Sequence, residues 1–231
     1  MSDCFEDEFQ PRSVQEMQAR AAALAQKLKK QGETLNPVTS NGRGIAKSFW
    51  GRAWCRNIES YQDYESRLPL GRSYLKNGAV IHLAILPGKV EALVAGNELY
   101  QVNIVIDPVP PERWNALKKQ CAGKIATLAD LVEGRLSDAI LELLSSPETG
   151  LFPSPDEIRL DCDCPDWADL CKHLAAVLYG IGARLDDDPG LFFVLRGVNR
   201  DELFAGDLSA ALPDIPANLE HLSETFDIDL E

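Results

Sequence analysis

The first pattern along the chain is a set of apolar residues at helical spacing. They recur at Met17, Ala21, Leu24 and Leu28. Ser13 can cap the amino end of this predicted helix and Gly32 can end it. Because the apolar stripe is narrow and rich in alanine, we expect the helix to lie on a surface or on a partner. With the linker "NPVTSNGRG" it forms a predicted basic arm over residues 1–43.

A second amphipathic pattern follows in "SFWGRAWCRNIESYQDY". One helical face carries Trp50, Trp54, Ile58 and Tyr61. Arg52 and Arg56 fall largely on the opposite face. Two tryptophans one turn apart can stack on nucleobases, but they serve more often as core anchors, and we expect that role here.

Three apolar runs separated by turn signals then predict β-strands. They are "AVIHLAIL", "KVEALVA" and "LYQVNIVI". Alternation in the first run predicts one face with Ile81, Leu83 and Ile85. In the third run it predicts a face with Tyr100, Val102, Ile104 and Ile106. Short turns between the runs favour an antiparallel β-meander. His82 lies inside the first strand, and we expect it to be structural.

Helical segments follow the meander. The segments "PVPPERWNALKKQ", "TLADLV" and "LSDAILELLSS" predict helices that cover the apolar face of the sheet. We assign this α+β domain to residues 44–150. A loop and short strand, "GLFPSPDEIRL", and a helix, "KHLAAVLYGIGARL", flank a cysteine-rich stretch, and shorter helices close a second unit at residues 151–208. The predicted fold class is therefore α+β.

Charge is distributed unevenly along the chain. The net charge is −13, yet residues 12–56 contain nine basic and two acidic residues, a local balance of +7. Residues 184–231 contain twelve acidic residues and three arginines, and we expect residues 209–231 to form an acidic tail. A uniformly basic nucleic-acid binder is excluded, but a local anion-binding face is not.

Neither a membrane span nor a secretory signal is apparent. The longest apolar stretch, "HLAAVLYGIGA", is about half the length of a span. The start, "MSDCFEDEF", is acidic where a secretory signal is basic and then apolar. We therefore expect a cytoplasmic protein with reduced thiols and no membrane partner.

Three of the six cysteines and one of the three histidines crowd into "DCDCPDWADLCKH". Their spacing is that of Cys162, Cys164, Cys171 and His173. Three thiolates and an imidazole suit tetrahedral Zn²⁺, and four protein ligands leave no open position for a substrate. The pattern thus predicts one structural zinc ion. Two alternatives stay open: a redox-active Cys162/Cys164 pair, and buried cysteines beside an unrelated histidine.

The spacing also predicts the local structure of this cluster. Residues i and i+2 of a helix point about 200° apart, so Cys171 and His173 converge on one ion only if Cys171 lies at or before the helix start. There the amino end of the helix favours a thiolate. Cys162 and Cys164 share one side of an extended segment, and Pro165 turns the chain. We predict strand, knuckle and helix, with Asp161, Asp163, Asp166 and Asp169 solvated or capping backbone amides.

These residues carry a family resemblance. The four ligands followed by "LAAVLYG" resemble the SWIM zinc finger, and "FWGRAW", "RLPLGRSYLKNGAV" and "DPGLFFVLRG" resemble segments of bacterial stand-alone SWIM proteins. The resemblance covers roughly residues 44–206. It implies one zinc ion, a Swi/Snf-type helicase ATPase as partner, a binding role toward DNA or protein, and no enzymatic activity.

Two functions follow from the sequence. The first is a zinc-stabilised adaptor that acts with such an ATPase on DNA, with phosphate contacts from Arg52, Arg56, Arg72 and Lys76. The second is a protein-interaction module without nucleic-acid contact. A zinc deaminase needs a glutamate near the zinc-binding histidine and a C-x-x-C pair, neither of which is present. We therefore expect no enzyme and no small-molecule substrate.

Overall fold

The computed structural model of the protein describes residues 13–40, 44–61, 67–125, 127–146, 148–166 and 168–203. The predicted acidic tail, Cys4, Arg12 and Arg43 lie outside these ranges. The helices are α1 (Val14–Lys30), α2 (Phe49–Glu59), α3 (Leu68–Lys76), α4 (Pro111–Cys121), α5 (Leu128–Glu133), α6 (Asp138–Ser145), α7 (Lys172–Asp187) and α8 (Gly190–Leu195). The strands are β1 (Val80–Leu86), β2 (Lys89–Ala95), β3 (Leu99–Ile106) and β4 (Ile158–Cys162).

The four strands form one antiparallel sheet in the order β1-β2-β3-β4. The first three follow one another as a meander, which confirms the predicted hairpins and the α+β class. β4 enters the sheet after a long helical excursion and pairs with β3, where Ile104 lies opposite Leu160. The strand that leads into the cysteine cluster is thereby fixed to the sheet.

A β-bulge in β1 overturns one predicted face. Val80 pairs with Val94 and His82 pairs with Leu93, so Ile81 is an extra residue on β1. Leu83 lies in the main core with Val80, whereas Ile81 packs on the other face of the sheet. The prediction that Ile81 shares a face with Leu83 and Ile85 was therefore wrong, because strict alternation does not hold across a bulge.

Helix α7 is the centre of the main core. It packs against α2 and α3 and lies against all four strands. Trp50 and Trp54 of α2 are fully buried, and their indole N–H groups donate to the carbonyls of Leu131 and Leu178 at 2.9 and 2.8 Å. The prediction of core tryptophans is confirmed. The sheet is covered by α7, and not, as the sequence suggested, chiefly by α4–α6.

Helix α1 covers part of the opposite face of the sheet. Ser13 caps it in a capping box with Glu16, as the sequence predicted for the amino end. Its stripe packs in a small second core formed by Ala21, Leu24, Ala25 and Leu28 with Ile81, Leu93, Ala95 and Leu99. Helix α1 thus lies on the molecule's own sheet.

The linker after α1 runs along the free edge of β1. The Leu83 amide donates to the Asn36 carbonyl at 2.9 Å, and the Val38 amide donates to the Val80 carbonyl at 3.2 Å. His82 Nδ1 accepts a hydrogen bond from the Asn36 amide at 3.1 Å, which agrees with its predicted structural role. The linker therefore shields an edge strand that would otherwise be open to pairing.

Arg196, just after α8, is a fully buried cation. Its guanidinium donates to the Leu151 carbonyl at 2.8 Å, to the Asp107 carbonyl, and to Glu157 at 3.1 Å. It thereby connects the end of β3, the approach to β4 and the carboxyl-terminal helices. Burial of a charge is tolerated here because it is paired and hydrogen-bonded.

Among the described residues, no helix combines the length and the apolar character that a membrane crossing requires.

Candidate metal centre

The four predicted ligands meet where the sheet, the finger loop and α7 join. Cys162 is the last residue of β4, Cys164 follows it by two, Cys171 is the N-cap of α7, and His173 lies in the first turn of that helix. The three thiol sulfurs and one ring nitrogen all lie within 4.8 Å of one another. The observed order is strand, knuckle and helix, as the spacing predicts.

The distances fit tetrahedral coordination. His173 Nδ1 lies 4.0 Å from the Cys162 sulfur and 3.9 Å from the Cys171 sulfur. Zinc bonds of about 2.3 Å to sulfur and about 2.0 Å to nitrogen place tetrahedral ligand atoms roughly 3.5–3.8 Å apart. The two distances from His173 need to shorten by only a few tenths of an ångström, and no pair of ligand atoms, all within 4.8 Å of one another, needs to shorten by more than about 1 Å to enclose one ion. The donor set and the geometry thus suit a single zinc site with four protein ligands.

Cys171 is both a candidate ligand and a helix cap. Its backbone is extended, with φ −84° and ψ 168°, and its sulfur accepts a hydrogen bond from the Leu174 amide at 3.4 Å. A hydrogen bond from the Cys162 thiol lowers the pKa of Cys171 to about 3, and contacts with His173 and the Leu174 amide act in the same direction. The neighbouring Cys162 thiol, and after it His173 and the cap position, therefore favour the Cys171 thiolate that a metal requires.

The knuckle is held to β3 by Asp163. The Gln101 amide donates to the Asp163 carboxylate at 2.8 Å, and the Asp163 amide donates to the Gln101 carbonyl at 3.3 Å. Asp166 accepts a hydrogen bond from the Ala168 amide at 3.3 Å and pairs with Arg67 at 3.6 Å. Both aspartates cap backbone amides, in agreement with the sequence analysis.

His173 lies in an aromatic pocket that the sequence analysis missed. The Tyr100 ring stacks on the His173 ring with centroids 4.3 Å apart, and Tyr74 approaches it edge-on at 5.5 Å. A Cβ on Gly96 would lie 2.8 Å from His173 Nε2, so the β2–β3 turn can contact the ring only because residue 96 is glycine. The available signal in the sequence was weak, because Tyr100 is simply the first residue of an alternating run and Gly96 looks like an ordinary turn residue.

The second ring nitrogen of His173 stays inside this pocket. Nε2 is buried and has no hydrogen-bond partner among the described residues. Ligation through Nδ1 would leave the ring proton on Nε2, beside Gly96 and Tyr100. The histidine is thus oriented by ring packing, whereas most metal-binding histidines are oriented by a hydrogen bond to a carboxylate or carbonyl.

The other described cysteines are isolated and buried. Burial raises the pKa of Cys55 to about 12, and burial likewise raises that of Cys121. Both are therefore protonated, unreactive thiols at neutral pH.

The four basic residues proposed for phosphate contact differ in their surroundings. Arg52 and Arg56 are exposed and lie one turn apart on α2. Arg72 on α3 is bound within the molecule, since its guanidinium pairs with Glu59 and donates to the Tyr179 hydroxyl at 3.2 Å. Lys76 is half-buried at the end of α3. Their role toward nucleic acid stays a prediction, and Arg72 would have to leave its partners to fulfil it.

Comparison with known families agrees with the geometry of the centre. Residues 148–180 match the family model of the SWIM zinc finger. The matched segment contains all four candidate ligands, β4 and the first half of α7. The chain therefore contains a zinc-binding SWIM domain.

The similarity also extends beyond the finger. The uncharacterized protein Rv2102 of Mycobacterium tuberculosis is 34% identical over 173 residues, which cover 74% of this chain and 62% of that protein. The chain thus spans less than two thirds of this relative's length. No solved structure matches the chain.

Proposed function

We propose that the protein is a non-enzymatic adaptor whose SWIM finger holds one structural zinc ion. The observation that carries this proposal is the convergence of three thiols and one imidazole at the junction of β4 and α7. A tetrahedral ion with four protein ligands has no vacant position for a substrate or an activated water. The proposed role of the ion is therefore to stabilise the fold of a binding surface and not to catalyse a reaction. We propose accordingly that it has no small-molecule substrate.

The proposed partner is a Swi/Snf-type helicase ATPase, and the proposed setting is DNA. The resemblance to bacterial stand-alone SWIM proteins supports the ATPase. Arg52 and Arg56 support a DNA contact, since they are exposed on the side of α2 that faces away from Trp50 and Trp54. Two cations one helical turn apart can contact neighbouring phosphates.

Native mass spectrometry of the full chain with a Swi/Snf-type helicase ATPase from the same organism and with short DNA tests this proposal directly. It reports bound zinc and each partner in one spectrum. We expect one zinc per chain and a complex with the ATPase. A chain with one zinc that forms no such complex would contradict the adaptor role, and a chain without stoichiometric zinc would contradict the structural site.

The DNA contact has its own test. An Arg52→Gln/Arg56→Gln double variant should weaken DNA binding and reduce the slope of log affinity against log salt by about 1 per arginine. Arg20→Gln/Lys27→Gln is a control with the same change of charge, because Arg20 and Lys27 are also exposed but lie on α1, across the sheet from α2. Equal affinities of the double variant and the wild type would remove these arginines from the interface.

A protein-interaction module without nucleic-acid contact is the second candidate. The acidic surface of the finger favours it, since Asp161, Asp163 and Asp169 are exposed around the centre and would repel phosphates. Complex formation with the ATPase in the absence of any DNA binding at low salt would identify this alternative. Deletion of residues 209–231 shows in the same assay whether the acidic tail, with its closing "FDIDLE", takes part.

A further inference from the structure

A groove of about 440 Å³ lies directly beside the metal centre. β4 forms one wall, and the finger loop with the start of α7 forms the other. The residues that line it include Leu160, Asp161, Cys162, Asp166, Asp169 and Leu174. The groove therefore runs along the one side of β4 that does not face β3.

The backbone of β4 is open toward this groove. The Asp107 amide donates to the Glu157 carbonyl at 2.9 Å, and the Asp163 amide donates to the Gln101 carbonyl at 3.3 Å, so residues 157, 159, 161 and 163 face β3. The peptide groups of residues 158, 160 and 162 alternate with these and point away from β3. The Ile158 amide follows this rule, since it donates to the Pro155 carbonyl instead.

Leu160 and Cys162 consequently present their amide and carbonyl groups to the groove. Within the described residues, no other strand pairs with this edge. An uncovered edge of this kind is a template for one more strand. From Ile158 to Cys162 it extends about 13 Å, which accommodates about five residues of an extended peptide.

The charge of the groove selects the occupant. Asp161, Asp166 and Asp169 all line it, and of these Asp166 alone forms an ion pair among the described residues, with Arg67. Asp161 and Asp169 are exposed. An added strand would place alternate side chains beside Asp161 on one face and over Ala168 and Leu174 on the other. Basic residues suit the first face and apolar residues the second.

We propose that this groove receives an extended segment of a protein partner, with basic and apolar residues in alternation, as a fifth strand beside β4. The proposal rests on the adaptor role above and specifies the chemistry of the partner. Backbone pairing with Leu160 and Cys162 gives affinity, and the aspartates select lysine or arginine. The metal ligand Cys162 belongs to the docking strand, so metal binding and partner binding share one element.

Fluorescence anisotropy with defined peptides tests this proposal on the zinc-loaded full chain. The probe is a labelled nine-residue peptide of alternating lysine and valine. One control peptide carries N-methyl groups on alternate peptide bonds, which keep the charge but remove the strand donors, and another has glutamate in place of lysine. We expect only the unmodified basic peptide to bind.

Matched variants locate the binding site. Asp161→Asn/Asp169→Asn should weaken binding of the basic peptide about tenfold while the zinc content stays the same. Asp138→Asn/Glu142→Gln, an equal change of charge on exposed residues of α6, should leave binding unchanged. Equal effects of the two double variants would overturn the proposal, because long-range charge would then account for the binding.

The remaining outcomes are equally decisive. Equal binding of the N-methylated peptide would exclude strand addition, and no binding of the basic peptide at low salt would exclude the site. An ATPase complex that tolerates Asp161→Asn/Asp169→Asn would overturn the groove as the docking site but leave the adaptor role intact. Absence of any ATPase complex with the wild-type chain would instead overturn the adaptor role, whatever the peptides show.

Discussion

The ring of Tyr100 on β3 stacks on the ring of His173 on α7, with centroids 4.3 Å apart and planes inclined at 30°. This contact joins the meander to the metal centre without a hydrogen bond. Tyr100 thereby positions a candidate ligand from a strand 73 residues earlier in the chain.

Removal of this ring should weaken zinc binding. Tyr100→Ala leaves space beside His173, and aromatic pairs contribute about 0.5–1.5 kcal/mol, so we expect zinc affinity to fall by up to about tenfold. Tyr100→Phe keeps the ring and should bind zinc like the wild type. Competition with a chromophoric chelator measures both variants. Equal affinities of all three proteins would show that stacking does not support the ligand.

Zinc removal should destabilise the whole described fold, because α7 joins the finger to the main core. A ligand present at a thousand times its dissociation constant stabilises the folded state by about 4 kcal/mol. For a chain of this size that corresponds to a fall in Tm of roughly 8–16 °C on chelation. Calorimetry with and without a chelator measures the change, and readdition of zinc is the control. An unchanged Tm would contradict a structural role.

The two roles of Cys171 can be separated by a pair of variants. Cys171→Ser and Cys171→Ala should both lose zinc, since neither side chain is a thiolate. Serine is a good N-cap and alanine is a poor one, so the metal-free serine variant should be more stable by about 1 kcal/mol. Urea unfolding of the two proteins under chelator measures this difference. Identical midpoints would contradict capping by residue 171.

The free energy of unfolding should fall at alkaline pH because the Tyr179 side chain is buried. Burial, followed by the hydrogen bond to Glu59, raises the pKa of Tyr179 to about 12 from its ordinary value of 10.0. A raised folded pKa means that this contribution to stability is fully present below pH 10 and is lost as the pH rises toward 12. The wild type should therefore lose stability in this range more steeply than Tyr179→Phe. Parallel curves of unfolding free energy against pH would contradict this.

The buried cation Arg196 should be essential for folding stability. Arg196→Leu leaves the carbonyls of Leu151 and Asp107 without this donor, and it leaves Glu157 with Arg113 as its remaining cation, so we expect a loss of about 3–5 kcal/mol. Arg159→Gln is the control, since Arg159 also contacts Asp107 but is exposed, and its loss should be far smaller. Chemical denaturation measures both, and similar losses would contradict the argument.

The metal centre was predictable because its signals are local. Four ligand-type residues within twelve positions, with helical and extended periods on either side, define both the donor set and the place of Cys171 at the helix start. The meander was predictable for the same reason, since its turns are short and its strands alternate. These features depend on neighbouring residues alone.

Features that depend on distant residues were missed. Helix α3 carries Pro69 and Gly71, which weaken a helical pattern, yet a Cβ on Gly71 would overlap Ala175 and lie 2.7 Å from the Ala176 nitrogen of α7. Its glycine is therefore needed for close helix packing. The role of Arg196 is hidden similarly, because its partners lie 39–89 residues away along the chain.

The segment that matches the SWIM model ends at residue 180, in the middle of α7, which continues to Asp187. The remainder of that helix carries Ile181, Ala183 and Leu185, all buried against the rest of the protein. The segment that matches the SWIM model is consequently shorter than the part of the chain that packs together in the main core. A finger excised at the limits of the motif would expose its own hydrophobic underside to water. In this protein the SWIM motif is therefore part of the main hydrophobic core and does not form a folding unit of its own.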